Sequence, residues 1–210
     1  MGLTMKEEVS DFTPAPAGNH VGVCFAVIDI GTQHSEAFIF DGKSIPASDK
    51  PQIIIMWELP HEQVEIDGEM KPASVSCWYN AYFYDKSKLR LHLEAWRTRV
   101  FTPEELQGFN ISALLNKPCM INVLHTEKGK AKVSGIAPMP KGMTAPEVTN
   151  TLISFDMDNY DQAVFDSLSE GIQNIIKKSP EWQALNQPAQ GFRDTENPAP
   201  EGFDYDPCPF

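Results

Sequence analysis

The 210-residue sequence has no long apolar run, no secretion signal and no closely spaced cysteines. No stretch approaches the roughly 18 uninterrupted apolar residues of a membrane-spanning helix, and the first residues lack the basic-then-apolar order of a signal peptide. Zinc sites use closely spaced ligand pairs, which are missing here. We therefore expect a cytoplasmic protein in which the three cysteines within apolar runs are small buried apolar residues. The four cysteines are Cys24, Cys77, Cys119 and Cys208.

Catalytic motifs are also missing. The sequence contains no HExxH, GxSxG or GxxxxGK[ST] pattern, and its five histidines do not follow metal-ligand spacing. Asp156, Asp158 and Asp161 form a DxDxxD run, but the glycine and distal glutamate of a calcium loop are absent. These absences favour a non-enzymatic protein without metal or cofactor. A metal-dependent nuclease built from scattered acidic residues is the enzymatic alternative.

Charge is distributed unevenly along the chain. The formal net charge is −12, which by itself argues against nucleic-acid binding. Residues 71–141, however, contain 11 basic and 5 acidic residues, whereas residues 151–210 contain 3 basic and 11 acidic residues. A basic middle and an acidic end are typical of a protein that binds a polyanion with only one of its parts.

The apolar periodicity predicts three strands, a helical insertion and a two-stranded hairpin. Pro60 is expected to end the second strand. The pattern indicates a mainly β fold, a five-stranded OB barrel with the helical insertion between strands three and four. The predicted strands are His20–Ile30, Gln52–Leu59, Ala73–Tyr84, Pro118–Thr126 and Ala131–Ala137, and the insertion contains a helix over Ser87–Arg99 and a second helix start at Thr102.

The C-terminal part divides into a helix and a tail. An apolar stripe with Asp161 at its start predicts one helix over 161–178. From residue 179 the chain is rich in Pro, Gly, Asn and Gln without periodicity, which indicates disorder. We therefore expect an OB domain with an N-terminal arm (1–158), a C-terminal helix (159–178) and a flexible acidic tail (179–210). Two docking sites are open to this helix, the barrel of its own chain and the barrel of a second copy. The second alternative would make the protein a homo-oligomer.

Binding of unpaired nucleic acid needs cations for the phosphates and flat rings for the bases. Strand alternation places Trp78, Tyr82 and Tyr84 on one face of the third strand and Tyr79 and Phe83 on the other, and one of these sets must fill the barrel. Trp57 and Trp96 are expected in the core. The candidate DNA-binding residues are Trp78, Tyr79, Tyr82 and Phe83, followed by Lys86, Lys88, Arg90, Arg97 and Arg99, and by Lys128, Lys130 and Lys132 on the hairpin.

Residues 201–210 (EGFDYDPCPF) combine acidic and aromatic residues with a final Pro-Phe. This segment resembles the C-terminal tip of bacterial single-stranded DNA-binding proteins. The resemblance implies that the tail recruits replication or repair proteins, with Asp204, Asp206, Pro209 and Phe210 as its partner-binding residues. The tip departs from that family because it has two separated aspartates instead of three in a row and because Cys208 precedes Pro209.

Three further segments resemble a family of bacteriophage proteins of this size, over roughly residues 10–145. They are FTPAPAGNHVGVCFAVIDIGTQ (Phe12–Gln33), KSKLRLHLEAWRTRVFTPEEL (Lys86–Leu106) and LLNKPCMINVLH (Leu114–His125). The resemblance implies sequence-independent binding of single-stranded DNA in phage replication, recombination or repair, in the cytoplasm of the host. A recombination mediator or strand-annealing protein on the same fold is the first alternative, and a protein-only adaptor is the second.

Overall fold

The computed structural model describes residues 13–40, 42–66 and 68–186. None of the helices in these ranges is long and apolar enough to cross a bilayer. The strands are β1 (Gly18–Ser35), β2 (Phe38–Phe40), β3 (Lys43–Ile45), β4 (Ser48–Ile66), β5 (Glu69–Asn80), β6 (Pro118–His125), β7 (Ala131–Ala137) and β8 (Ile153–Phe155). The helices are α1 (Lys88–Arg97), α2 (Pro103–Gln107), α3 (Gln162–Ser167), α4 (Glu170–Ile176) and α5 (Pro180–Asn186), with a 3₁₀ turn at Ile111–Leu114.

β1 lies at the centre of the main sheet, whose strand order is β5-β4-β1-β6-β7. The first part of β1 pairs with β6, from Gly18 opposite Val123 to Val23 opposite Pro118. The later part of β1 pairs with β4, and these ladders are antiparallel. The short strand β8 joins β1 in parallel, and β2 and β3 form a separate hairpin. One long strand thus connects both halves of the sheet.

The sheet is not closed, since no hydrogen-bonded ladder joins β5 to β7 in the described residues. These two edge strands nevertheless approach each other to within 8 Å between Cα atoms. The prediction of a mainly β fold with some helices is confirmed. The closed five-stranded barrel is not, because an open antiparallel sheet takes its place.

One face of the sheet buries the larger core, against which α1 packs. Trp57 is fully buried and lies beside Trp96, with ring centroids 6.1 Å apart. α1 buries Leu89, Leu93 and Trp96 at helical spacing, and the Ser87 side chain caps its first turn. Both tryptophans are core residues, as predicted.

The other face of β1 and β4 is buried as well, because the segment 148–182 folds over it. A β-bulge in β1 at Phe25 turns both Phe25 and Ala26 toward this face. Phe155 of β8 and Phe165 of α3 belong to the same buried cluster. The two central strands are therefore apolar on both sides, whereas β5 keeps an outward-facing side.

Glu58 is fully buried on β4 although it is a charged residue type. Its carboxylate accepts hydrogen bonds from the backbone N–H groups of Thr149 (3.0 Å) and Asn150 (2.8 Å). The Asn150 side-chain amide donates a further bond to it. A carboxylate is stable in a buried place only when such donors replace water. Glu58 thereby fixes the chain just before it enters β8.

A second carboxylate attaches α5 to β1. Glu181 accepts hydrogen bonds from the backbone N–H (2.9 Å) and the hydroxyl (2.6 Å) of Thr32. The neighbouring Trp182 stacks on Phe165 with ring centroids 4.2 Å apart. The end of the described chain is therefore held against the sheet by both polar and aromatic contacts.

The C-terminal helix and the start of the tail differ from the prediction. The single helix predicted over 161–178 is two helices, because the backbone is extended at Leu168 (ψ 151°). The side-chain amide of Gln173 donates to the freed carbonyl of Leu168 (3.0 Å) and stabilises this break. Residues 179–186, predicted as flexible tail, contain α5. Residues 187–210 lie outside the described residues.

Two strand ends also differ from the prediction. Pro60 does not end the second strand, and β4 continues past it. The register is irregular between Leu59 and Gln63, which accommodates a residue without a backbone N–H. β5 ends at Asn80 and not at Tyr84, so the last aromatic residues of this region follow the strand.

Replacing Glu58 by glutamine should destabilise the fold by about 2–3 kcal/mol, because hydrogen bonds to a charged acceptor are lost and the new NH₂ group faces two backbone N–H donors. Urea unfolding at neutral pH measures the free energy of unfolding. Glu65→Gln, at an exposed position of the same strand, is the matched control and should change it by less than about 0.5 kcal/mol. Equal stability of the two variants would contradict the role assigned to Glu58.

Candidate nucleic-acid interface

The aromatic residues predicted to stack on bases divide between the two faces of β5. Trp78 points outward and is 45% exposed, whereas Tyr79 is 2% exposed. Because side chains alternate along a strand, Ser74 and Ser76 share the outward face with Trp78. β5 thus offers one aromatic ring and two hydroxyl-bearing side chains to the outside.

Tyr79 is held in the interior by α1. Its hydroxyl forms a 2.9 Å hydrogen bond with Nδ1 of His92, and the two rings meet edge to face with centroids 5.6 Å apart. Burial raises the pKa of the Tyr79 hydroxyl. Burial also lowers the pKa of His92 to about 4, and the nearby Lys88 ammonium adds to this effect. The structure therefore assigns Tyr79 to the core and removes it from the predicted DNA-binding set.

Phe83 is removed from that set for a similar reason. It packs against Phe101 edge to face, with ring centroids 4.7 Å apart, and is stacked with Phe109 at 6.0 Å. This aromatic cluster borders the larger core. The Phe83 ring is therefore partly buried among aromatic side chains, and less of it is accessible than of Tyr84.

Tyr82 and Tyr84 follow β5 on the surface. Tyr82 is half-buried, Tyr84 is 59% exposed, and their ring centroids are 6.2 Å apart. Tyr84 was not among the predicted contact residues, although the alternation that favours Tyr82 also points to it. The exposed rings of this region are therefore Trp78 and Tyr84, and the half-buried Tyr82 lies beside Tyr84.

The three arginines predicted to meet phosphates already have carboxylate partners. The side chains of two of them, Arg90 and Arg97, are only 14% and 17% exposed. Their charge is neutralised within the fold, so we assign them to packing, and Arg99 shares its carboxylate with Arg97. The pairs are Arg90 with Asp85 and Glu94, and Arg97 and Arg99 with Glu105, at nitrogen–oxygen distances of 2.6–2.9 Å.

Lys86 and Lys88 lie exposed at the start of the helical insertion. The Lys88 ammonium is 3.0 Å from the Cys77 sulfur and 5.3 Å from the centroid of the Tyr79 ring. These contacts place Lys88 beside β5, the strand that carries Trp78. Lys86 and Lys88 are therefore more exposed to solvent than Arg90 and Arg97, the paired arginines of the same basic segment.

The β6–β7 hairpin carries the other three predicted lysines, and all of them are exposed: Lys128, Lys130 and Lys132. Its turn closes when the Thr126 N–H donates to the Lys130 carbonyl (2.9 Å) and the Gly129 N–H donates to the Thr126 carbonyl (2.8 Å). Gly129 has φ +72°, a conformation that favours glycine. Among the described residues, these lysines form no ion pair.

A cleft of about 620 Å³ lies between β5 and this hairpin, and we call it the β5–hairpin cleft. Residues 74–76 line one side and residues 128–131 line the other. Pro14 and Ala15 of the N-terminal arm complete the lining. Trp78 follows Ser76 by two residues, about 7 Å along the strand. The hairpin lysines and the exposed Trp78 ring therefore lie along the two edge strands of the open sheet, β5 and β7. We call this surface, formed by the outward face of β5 and the β6–β7 hairpin, the seam.

The sequence did not point to the serines of this seam or to the arm. The period-2 alternation along β5 places Ser74 and Ser76 on the same face as Trp78. A serine on an exposed strand face is common, however, so the residue type alone does not indicate a binding site. The contribution of Pro14 and Ala15 depends on how the arm crosses the sheet, which no local pattern shows. The four predicted partner-binding residues lie outside the described part: Asp204, Asp206, Pro209 and Phe210.

Within residues 13–40, 42–66 and 68–186, no three His, Cys, Asp or Glu side chains are arranged to hold a metal ion. Comparison with family models, curated proteins and solved structures finds no match for this chain. Function is therefore inferred from the geometry of the chain itself.

The Tyr79–His92 contact should make stability depend on pH. The folded state keeps His92 neutral down to about pH 4, whereas an ordinary histidine in the unfolded chain takes up a proton near pH 6.5. The unfolded state then binds more protons between these values, so the free energy of unfolding falls as the pH falls from about 6.5 towards 4. A protonated ring also cannot accept the Tyr79 hydrogen bond at Nδ1.

We expect this effect to cost about 1 kcal/mol at pH 5, a value reduced because the half-buried ring is partly screened by water. The measurement is urea unfolding at pH 7.5 and pH 5 for the native chain, for His92→Gln and for the exposed-site control His61→Gln. His92→Gln should weaken the pH dependence and His61→Gln should preserve it. The same pH dependence in all three proteins would refute the assignment.

Proposed function

We propose that the protein binds single-stranded DNA without reading its sequence, along the seam formed by the outward face of β5 and the β6–β7 hairpin. The observation that carries this proposal is the β5–hairpin cleft. Lys128 and Lys130 line its hairpin side, and Trp78 lies on the outward face of β5, two residues beyond the lining residue Ser76. Cations hold the phosphates, and an exposed ring stacks on any base because every base has a π-face.

The connectivity supports a relation to the OB architecture. The order β5-β4-β1-β6-β7, with α1 inserted between β5 and β6, is the order of an OB barrel opened between its third and fifth strands. OB domains bind oligonucleotides on the face of their second and third strands and with the loop between the fourth and fifth strands. Those elements correspond to β4, β5 and the β6–β7 hairpin. β5 and the hairpin line the cleft, whereas the outer side of β4 is covered by residues 148–182.

The sequence resemblances support the wider role. Segments 12–33, 86–106 and 114–125 resemble a bacteriophage family associated with replication and single-strand binding. The acidic segment that ends in Pro209-Phe210 resembles the partner-binding tip of bacterial single-stranded DNA-binding proteins. Recruitment of replication or repair proteins through that segment, in the host cytoplasm, belongs to the same proposal.

Trp78→Ala should weaken binding of mixed-sequence oligonucleotides by about 1–3 kcal/mol, because a stacking platform is lost. The protein should still fold, since the Trp78 ring is 45% exposed and belongs to neither buried cluster. Gel shift or fluorescence titration measures the affinity, and Leu91→Ala, which removes a 51% exposed apolar side chain from α1, is the control. Native affinity of a folded Trp78→Ala protein would rule out Trp78 as the platform.

The same oligonucleotides, incubated with the native protein and magnesium, should remain uncleaved. Cleavage would support the alternative of a metal-dependent nuclease.

Neutralising Lys128 and Lys130 together (Lys128→Gln, Lys130→Gln) should flatten the salt dependence of binding. For single strands, each phosphate contact contributes roughly 0.7 to the slope of log K against log salt, so the loss of both lysines should reduce its magnitude by about 1.4. Lys177→Gln with Lys178→Gln removes the same charge from exposed positions of the C-terminal segment. An equal change in slope for both double variants would show that only net charge matters and would contradict the seam as the phosphate site.

A further inference from the structure

The N-terminal arm runs into the β5–hairpin cleft and is fixed there. Ala15 is only 2% exposed, and its carbonyl accepts a 2.8 Å hydrogen bond from Nε2 of His125. The next carbonyl, that of Pro16, accepts a 2.9 Å bond from Nε2 of His20. Pro14 and Ala15 both belong to the lining of the cleft. The chain that precedes Thr13 therefore starts at the site proposed for DNA.

The charge of the preceding segment is complementary to that of the cleft. Lys128 and Lys130 are the charged members of the cleft lining in the described part of the chain. Residues 1–12 contain Glu7, Glu8 and Asp11 against a single lysine. Asp11 precedes Pro14 by three residues, a separation that a fully extended chain spans in about 10 Å. A segment tethered this closely is present at the cleft at a high effective concentration.

We propose that residues 1–12 dock in the β5–hairpin cleft and place their acidic side chains on Lys128 and Lys130, in direct competition with single-stranded DNA. The docking rests on the position of the arm and on charge. The competition rests in addition on the function proposed above. The arm thereby acts as an internal substitute for the phosphate backbone, displaced when a strand supplies more negative charge than the arm does.

Carbodiimide coupling of the full chain tests the docking without any DNA. The reagent joins a carboxylate and a contacting amine as an amide and carries away the oxygen as its urea. Peptide mass spectrometry should find Lys128 or Lys130 joined to Glu7, Glu8 or Asp11. The ion pair between Lys71 and Glu69, at 2.9 Å, is the internal positive control. Coupling at this control pair without any coupling between arm and hairpin overturns the docking.

Affinity for single-stranded DNA tests the competition. The arm variant carries Glu7→Gln, Glu8→Gln and Asp11→Asn, and the matched control carries Glu147→Gln, Asp158→Asn and Glu170→Gln at exposed positions elsewhere. At about 0.02 M salt, where the screening length is roughly 20 Å, the arm variant should bind at least about threefold tighter than the control. The difference should vanish near 1 M salt, where the screening length is about 3 Å.

The outcomes separate the arm from the proposed function. Equal affinities of the arm variant and the control at low salt, with DNA bound by both, overturn the competition. Coupling between arm and hairpin in a protein that binds no DNA in any variant supports the docking and refutes the function. Tighter binding by the arm variant, together with coupling that is lost in Lys128→Gln with Lys130→Gln, supports both.

Discussion

Burial of both faces of β1 and β4 is the constraint on which the rest of the structure depends. The bulge at Phe25 turns extra apolar surface to the outer side of β1, and a sheet with two apolar faces needs a covering layer on each. α1 supplies one layer and residues 148–182 supply the other. Two carboxylates hold the second layer in place. Glu58 of β4 accepts hydrogen bonds from Thr149 and Asn150 of that layer, and Glu181 of that layer accepts them from Thr32 of β1.

This covering decides where a ligand has access to the sheet. The C-terminal segment covers the outer side of β1 and β4, so the outward side of β5 and the β6–β7 hairpin stay exposed to solvent. In the described residues no hydrogen-bonded ladder joins β5 to β7, and the β5–hairpin cleft lies between these two edge strands. Trp78, at the border between the covered and the open regions, is the ring that this arrangement leaves at the surface.

Pairing within the protein decides which positive charges are available. Arg90, Arg97 and Arg99 hold the helical insertion together through Asp85, Glu94 and Glu105, and an arginine engaged in this way contributes little net attraction for a phosphate. The hairpin lysines form no such pair in the described residues and lie beside an uncovered strand. A protein with a formal net charge of −12 therefore carries a local cluster of exposed lysines on the β6–β7 hairpin.

The sequence by itself determined the elements that local periodicity and capping specify. These include the mainly β fold, the helix that buries Trp96, the helix start capped by Thr102, and the hairpin around Gly129. Period-2 alternation also separated Trp78 from Tyr79, but it did not say which of them faces inward. That choice was decided by tertiary structure, because it depends on how β5 packs against α1, as in the contact of Tyr79 with His92. The arginine pairs join residues only four to eight positions apart, but apolar periodicity did not specify them. The attachment of α5 to β1 joins Glu181 to Thr32 across 149 positions of the chain, and no local pattern encodes such a contact.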